Sequence, residues 1–128
     1  EEDKYRFRLG VALLDVGTGR FLHQERLNRT GWDAAASTET LDVRNGDWSL
    51  VMTDAATETM QLAGGLHGDA RFTVTLTPTK PLVRFGDAGY SKKGAEPTAA
   101  SYYLTFTRLR TEGTLTLGDE TLAVTGET

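Results

Sequence analysis

The 128-residue chain contains no cysteine, which excludes a disulfide scaffold, a thiol nucleophile and Cys-ligated zinc or iron-sulfur sites. That absence fits the cytosol and an oxidising compartment equally. Only two histidines occur, His23 and His67, and their separation matches no ligand spacing, so neither catalytic zinc nor any other cofactor is expected. No run approaches a membrane-spanning length, and the first residues lack the basic-then-apolar order of a signal peptide. A leader already removed would leave no trace. Charge of one sign is also scarce: 14 Lys/Arg against 18 Asp/Glu give a net charge of -4 without long blocks. Nucleic acid is therefore not an expected partner. Leu9 to Gly19 contains neither a Walker loop nor a dinucleotide fingerprint, so ATP and NAD have no support.

What the chain does have is threonine, twenty of them, many beside Val, Leu, Phe or Tyr. β-branched residues in such company favour extended structure. Tyr5, Phe7, Leu9, Val11 and Leu13 alternate with Arg6, Arg8, Gly10, Ala12 and Leu14, a strand pattern that turns apolar on both faces near its end. Asp15-Val16-Gly17-Thr18-Gly19 can reverse the chain into a partner strand from Arg20 to Arg29. Further strands are predicted at 39–44, 48–53, 58–66 and 70–77, with turns at Asn45-Gly46-Asp47 and Gly68-Asp69. Pro78 and Pro81 make 79–85 an edge segment or loop. Residues 101–110, 114–117 and 120–125 complete the pattern, with a turn at Gly118-Asp119. Gly31 to Thr38, with its three alanines, is expected to form a helical turn. Length and the lack of a linker imply one domain over residues 1–128. The count of roughly eight to ten strands predicts an all-β fold with little helix, an antiparallel barrel that is complete or partial, with a β-sandwich as the alternative.

Candidate chemistry is sparse. His23 and Glu25 share one face of the second strand with Phe21 and Leu27, and a histidine beside a carboxylate can move protons where a pocket presents both to a substrate. They are the candidate catalytic pair, set against the plainer reading of a hydrogen-bonded surface pair. Along 101–107 the residues Ser101, Tyr103, Thr105 and Thr107 share a polar face, while Tyr102, Leu104 and Phe106 share the other. Ser101, Tyr103 and Thr105, with Phe21 and Trp48, are the candidate ligand contacts. Trp32 and Trp48 could flank an apolar ligand or simply pack in the core. Tyr90, Lys92, Lys93 and Ser101 could hold a carboxylate or phosphate, against the more ordinary reading of solvated loop lysines. His67 reads as a turn residue.

Several strings occur in a recognisable order: Gly19-Arg20-Phe21, His23-Gln24-Glu25-Arg26-Leu27, Asp47-Trp48-Ser49, Leu76-Thr77-Pro78, Lys80-Pro81, Tyr90-Ser91-Lys92-Lys93-Gly94, Ala100-Ser101-Tyr102-Tyr103, Thr107-Arg108-Leu109, Gly113-Thr114-Leu115 and Val124-Thr125-Gly126. In these the chain resembles the AttH/CrtC-like, lipocalin-like family of carotenoid 1,2-hydratases, hydroxyneurosporene synthase-like proteins and bacterial predicted secreted hydrolases. The resemblance implies a lipocalin-like domain, the N-terminal one or a fragment of a longer protein with a second such domain. In that family Val-Thr-Gly leads into a Trp-containing Asp-His-Glu stretch, whereas this sequence ends at Glu127-Thr128. The resemblance also implies a bacterial secreted or periplasmic setting, with or without a lipid anchor. Three functions follow as expectations: part of a hydrolase or hydratase-like protein binding a hydrophobic small molecule, a noncatalytic lipid or isoprenoid carrier, or a structural β-domain that associates with a second domain or with itself.

Overall fold

The computed structural model describes residues 6–31 and 33–128. Tyr5 and Trp32 lie outside them. All described secondary structure is strand, in thirteen segments joined by turns. The first hairpin pairs β1 (Arg6–Leu14) with β2 (Phe21–Arg29) over its whole length. Its turn is held by Asp15, whose carboxylate accepts hydrogen bonds from the Gly17 and Thr18 amides and the Thr18 hydroxyl.

The largest unit is a seven-stranded antiparallel sheet in the order β13-β12-β7-β6-β5-β4-β3. It comprises β3 (Ala34–Ala36), β4 (Asp42–Asn45), β5 (Trp48–Asp54), β6 (Thr59–Leu66), β7 (Ala70–Pro78), β12 (Leu109–Leu117) and β13 (Glu120–Glu127). Three of its turns, at Gly46, Gly68 and Gly118, fall where the turn residues predict. Gly46, at φ 63°, carries the β4-β5 reversal in the left-handed region that glycine enters at little cost. The expected all-β class is observed; none of the sheets closes into a barrel, and the main sheet is open with edges at β3 and β13.

Two predictions are corrected. The Ala34-Ala35-Ala36 segment is not a helical turn but the edge strand β3, paired with Val43 to Asn45. Three residues are too few to nucleate a helix, whereas ladder hydrogen bonds to β4 are at hand. The expected continuous strand over 101–110 is broken into three. β10 (Ala100–Tyr102) pairs with β9 (Tyr90–Lys92), β11 (Leu104–Phe106) pairs with β8 (Leu82–Arg84), and only at Leu109 does the chain enter the main sheet. The break falls at Tyr103, whose amide donates to the Gly89 carbonyl and whose carbonyl accepts from Phe85. Alternation of residue type cannot register a change of partner.

These four short strands form an arm inserted between β7 and β12, which pair directly with each other. Its base is closed where the Thr79 amide meets the Arg108 carbonyl at 3.0 Å. The register assigns one face of the main sheet unambiguously, because cross-strand partners share a face. Trp48, Leu50, Met60, Leu62, Leu66, Ala70, Phe72, Val74, Leu76, Leu115 and Val124 lie on it. Gly113 stands on this face too, and a Cβ there would meet the Thr73 carbonyl oxygen at 2.2 Å and the Val74 Cα at 2.7 Å.

Gly113→Ala must therefore push β12 off β7, and a loss of about 1–3 kcal/mol is expected in urea unfolding. An unchanged midpoint would show that the strands part without cost. The hydrogen bond from the Thr18 side chain, then those from the backbone, hold the Asp15 carboxyl below the usual carboxylate range. A depressed folded pKa contributes stability above the unfolded value and loses it as pH falls through the folded one. In a carboxyl NMR titration the Asp15 midpoint should lie below that of a free aspartate and rise in Thr18→Val.

Candidate functional site

Alternation along the first hairpin decides what covers the sheet. In β1 the residues Phe7, Leu9, Val11 and Leu13 are half-buried, and in β2 their partners Asn28, Arg26, Gln24 and Leu22 are half-buried too. That face of the hairpin turns inward. Between Val11 and Leu13 of β1 and Leu62, Leu66, Phe72, Val74, Leu115 and Val124 of the sheet lies a cleft of about 490 Å³, completed by Gly10 and Ala12. No lining side chain is polar. A water filling this space would find few partners, so it favours an apolar occupant.

One end of the hairpin is fastened by polar contacts. Asn45 is 0% exposed, and its amide nitrogen donates to the Phe7 carbonyl at 3.4 Å while its amide oxygen accepts from the Asn28 side chain. Asn28 also donates to Asp33 at 3.1 Å. The Arg26 guanidinium forms an ion pair with Asp47 and lies 4.6 Å from the centre of the Trp48 ring. A Cβ on Gly46 would collide with that guanidinium. Farther along, the His67 amide donates to the Gln24 side chain at 2.9 Å, and His67 Nε2 contacts the His23 carbonyl oxygen at 2.7 Å. His67 is thus a turn residue, as expected, but one that also latches the β6-β7 turn to β2. A second, polar cleft of about 280 Å³ lies beside this latch, lined by Gln24, Arg26, Asp47, His67 and Arg71 among others. A third, of about 40 Å³, lies under the β1-β2 turn at Leu13, Leu22 and Leu117.

The residues singled out from sequence fall elsewhere. Phe21 (61% exposed), His23 and Glu25 stand on the outward face of β2. Phe21 and His23 stack with ring centres 6.4 Å apart, and Glu25 pairs with Arg8 at 3.0 Å. None of the three lines the apolar cleft. Trp48 is buried on the inner face, where its indole donates to the Gly65 carbonyl at 2.6 Å; it is a core residue. Ser101 and Tyr103 are exposed in the arm, Tyr103 against Phe85 with ring centres 4.7 Å apart, and Thr105 is half-buried in β11. The structure does not bring these arm residues to the cleft. The cleft residues that sequence reasoning passed over carry no chemical signature. Their signal is positional: the turns at Gly46, Gly68 and Gly118 fix the register, and the register places Leu62, Val74 and Leu115 on one surface.

An open antiparallel sheet roofed by a hairpin, with an apolar cleft between them, defines the class of this β-domain. The chain belongs to the AttH-like family, whose model matches residues 6–128. A solved structure from Nitrosomonas europaea assigned to AttH is similar at 31% identity with a TM-score of 0.76. The match covers 94% of this chain and 37% of that one, so this chain spans little more than a third of that relative. No curated protein matches it.

Replacing Asn45 by Ala leaves the Asn28 amide only its bond to Asp33 and removes the donor to Phe7. A loss of about 1–3 kcal/mol is expected, with faster amide hydrogen exchange in β1 than in β7. Equal acceleration in both strands would mean that Asn45 supports the sheet as a whole rather than the hairpin.

Proposed function

We propose that this is a lipocalin-like binding domain that holds an apolar small molecule in the cleft between β1 and the inner face of the sheet. One observation carries the reading: an open cleft of about 490 Å³ is lined by ten residues without a polar side chain. Pockets for small organic ligands fall in this size range. The lining can exclude water and surround a hydrocarbon, and it offers no group that gives or takes a proton.

Binding is therefore favoured over chemistry at this position. A hydratase would need an acid to protonate a double bond and a base to position water. A hydrolase would need a nucleophile or an activated water. Among the cleft residues neither is found, so the noncatalytic lipid or isoprenoid carrier fits this lining better than the hydrolase or hydratase reading.

The neutral fluorophore N-phenyl-1-naphthylamine tests the proposal. Its emission should rise and shift to the blue on titration with the protein, saturating at one molecule per chain. Val74→Phe fills the cleft from its floor and should weaken binding by at least about tenfold, while the Trp48 emission and the melting profile stay native. A titration without saturation, or equal binding by the filled variant, would place the dye outside the cleft and remove the proposed site.

A further inference from the structure

The arm between β7 and β12 carries a surface that the cleft does not explain. In its ladders Tyr90 pairs with Tyr102, Lys92 with Ala100, and Arg84 with Leu104, and partners share a face. The break at Tyr103 does not separate the two ladders. A Cβ on Gly89 would lie 3.0 Å from Leu104 Cδ2, 3.7 Å from Tyr102 Cδ1 and 3.8 Å from the Arg84 Cβ, so these side chains converge on one spot. Tyr90 meets Tyr102 edge to face, with ring centres 6.1 Å apart. The result is one contiguous face of Tyr90, Tyr102 and Leu104 bordered by Arg84 and Lys92.

This face is exposed where a core would be covered: Tyr102 is 77% and Leu104 50% accessible. The Tyr90 hydroxyl is tied to the Pro97 carbonyl at 2.7 Å, which steadies the ring. Neither the Arg84 guanidinium nor the Lys92 ammonium has a hydrogen-bond or ion-pair partner among the described residues. Asp87, bridged to Tyr90, shares this face at its end, beside the two cations. Charge is divided along the chain in the same sense. Residues 79–108 carry Lys80, Arg84, Lys92, Lys93 and Arg108 against Asp87 and Glu96, within a chain whose totals are 14 against 18. The arm is basic and the remainder strongly acidic.

We propose that this face docks the protein on an anionic lipid bilayer surface. Two features select that occupant. No residue of this face lines any of the three clefts, so none of those clefts offers a protein partner a seat for an anchor there. Tyrosine rings and a leucine suit the headgroup boundary, where free Lys and Arg on aliphatic stems reach lipid phosphates. The acidic remainder is repelled by the same surface, which orients the arm toward it. This docking does not depend on what fills the cleft.

Co-sedimentation of the full chain with vesicles of phosphatidylcholine alone, or of phosphatidylcholine mixed with phosphatidylglycerol, tests the proposal. Partitioning to the mixed vesicles is expected, with weaker binding at high salt. Arg84→Gln and Lys92→Gln, which disturb no packing, should each lower the partition coefficient about fivefold. Tyr102→Ser should lower it as well. Arg110→Gln, an exposed cation on the main sheet, should leave it unchanged. The proposal is overturned by absence of binding to the mixed vesicles, or by an equal effect of Arg110→Gln. It is also overturned by light scattering that shows a dimer dissolved by Tyr102→Ser, which assigns the face to a second copy. If the serine variant does not fold, the two glutamine variants decide the outcome.

Discussion

The architecture depends on keeping a two-stranded hairpin over the inner face of an open sheet, and a buried amide does most of that. Asn45, at the end of β4, is fully enclosed and reaches both strands of the hairpin, Phe7 of β1 through its nitrogen and Asn28 of β2 through its oxygen. Leaving such a group unsatisfied costs about 1–3 kcal/mol, so the hairpin and β4 are bound to each other's position. The ion pair of Arg8 with Glu25 is solvent-exposed and contributes about 0–1 kcal/mol. Arg26 lies between these extremes, half-buried, paired with Asp47 and stacked on Trp48. The room for its guanidinium comes from the missing side chain of Gly46, so one glycine both turns the β4-β5 hairpin and admits the cation that seals it.

Much of the main sheet was legible in the sequence because its signals are local. Alternation marks β1 and β2, and Gly46, Gly68 and Gly118 mark reversals that appear where expected. Two things were not legible. Alternation separates two faces without saying which is inside: in β2 Gln24, Arg26 and Asn28 turn inward to the clamp, while Phe21 and Leu27 turn outward. Burial of an arginine depends on a partner twenty-one residues away at Asp47, which no local pattern contains. The other failure was at Tyr103, where strand-like chemistry continues unbroken although the chain changes partners. Closure was illegible for a related reason, because it depends on whether the two edges of the main sheet meet.

The arm and the body divide the molecule's chemistry. β7 and β12 would pair as neighbours with any connection between them, since the entropy of closing a loop grows only slowly with its length. Thirty residues can therefore be placed between them without loosening the sheet, and the hydrogen bond between Thr79 and Arg108 isolates the insertion at its base. Aromatic and basic residues gather in that insertion while the sheet keeps its apolar inner face and acidic exterior. The same strand pair thus supports the apolar cleft on one side and a separate surface beyond its end.

The cleft has a further consequence for the chain as a whole. Among the described residues few apolar side chains are buried, Trp48, Met60, Leu66 and Leu76 being the larger ones, while Leu62, Phe72, Val74, Leu115 and Val124 are half-buried at the cleft. Dry packing that a closed core would possess is here held in reserve. An occupant that contacts those side chains only when the sheet and hairpin are assembled adds RT ln(1 + [L]/Kd) to the stability, about 2.7 kcal/mol at a hundredfold excess over Kd. On the proposed reading, folding and cargo are linked quantities, and the filled domain would resist heat and proteolysis better than the empty one.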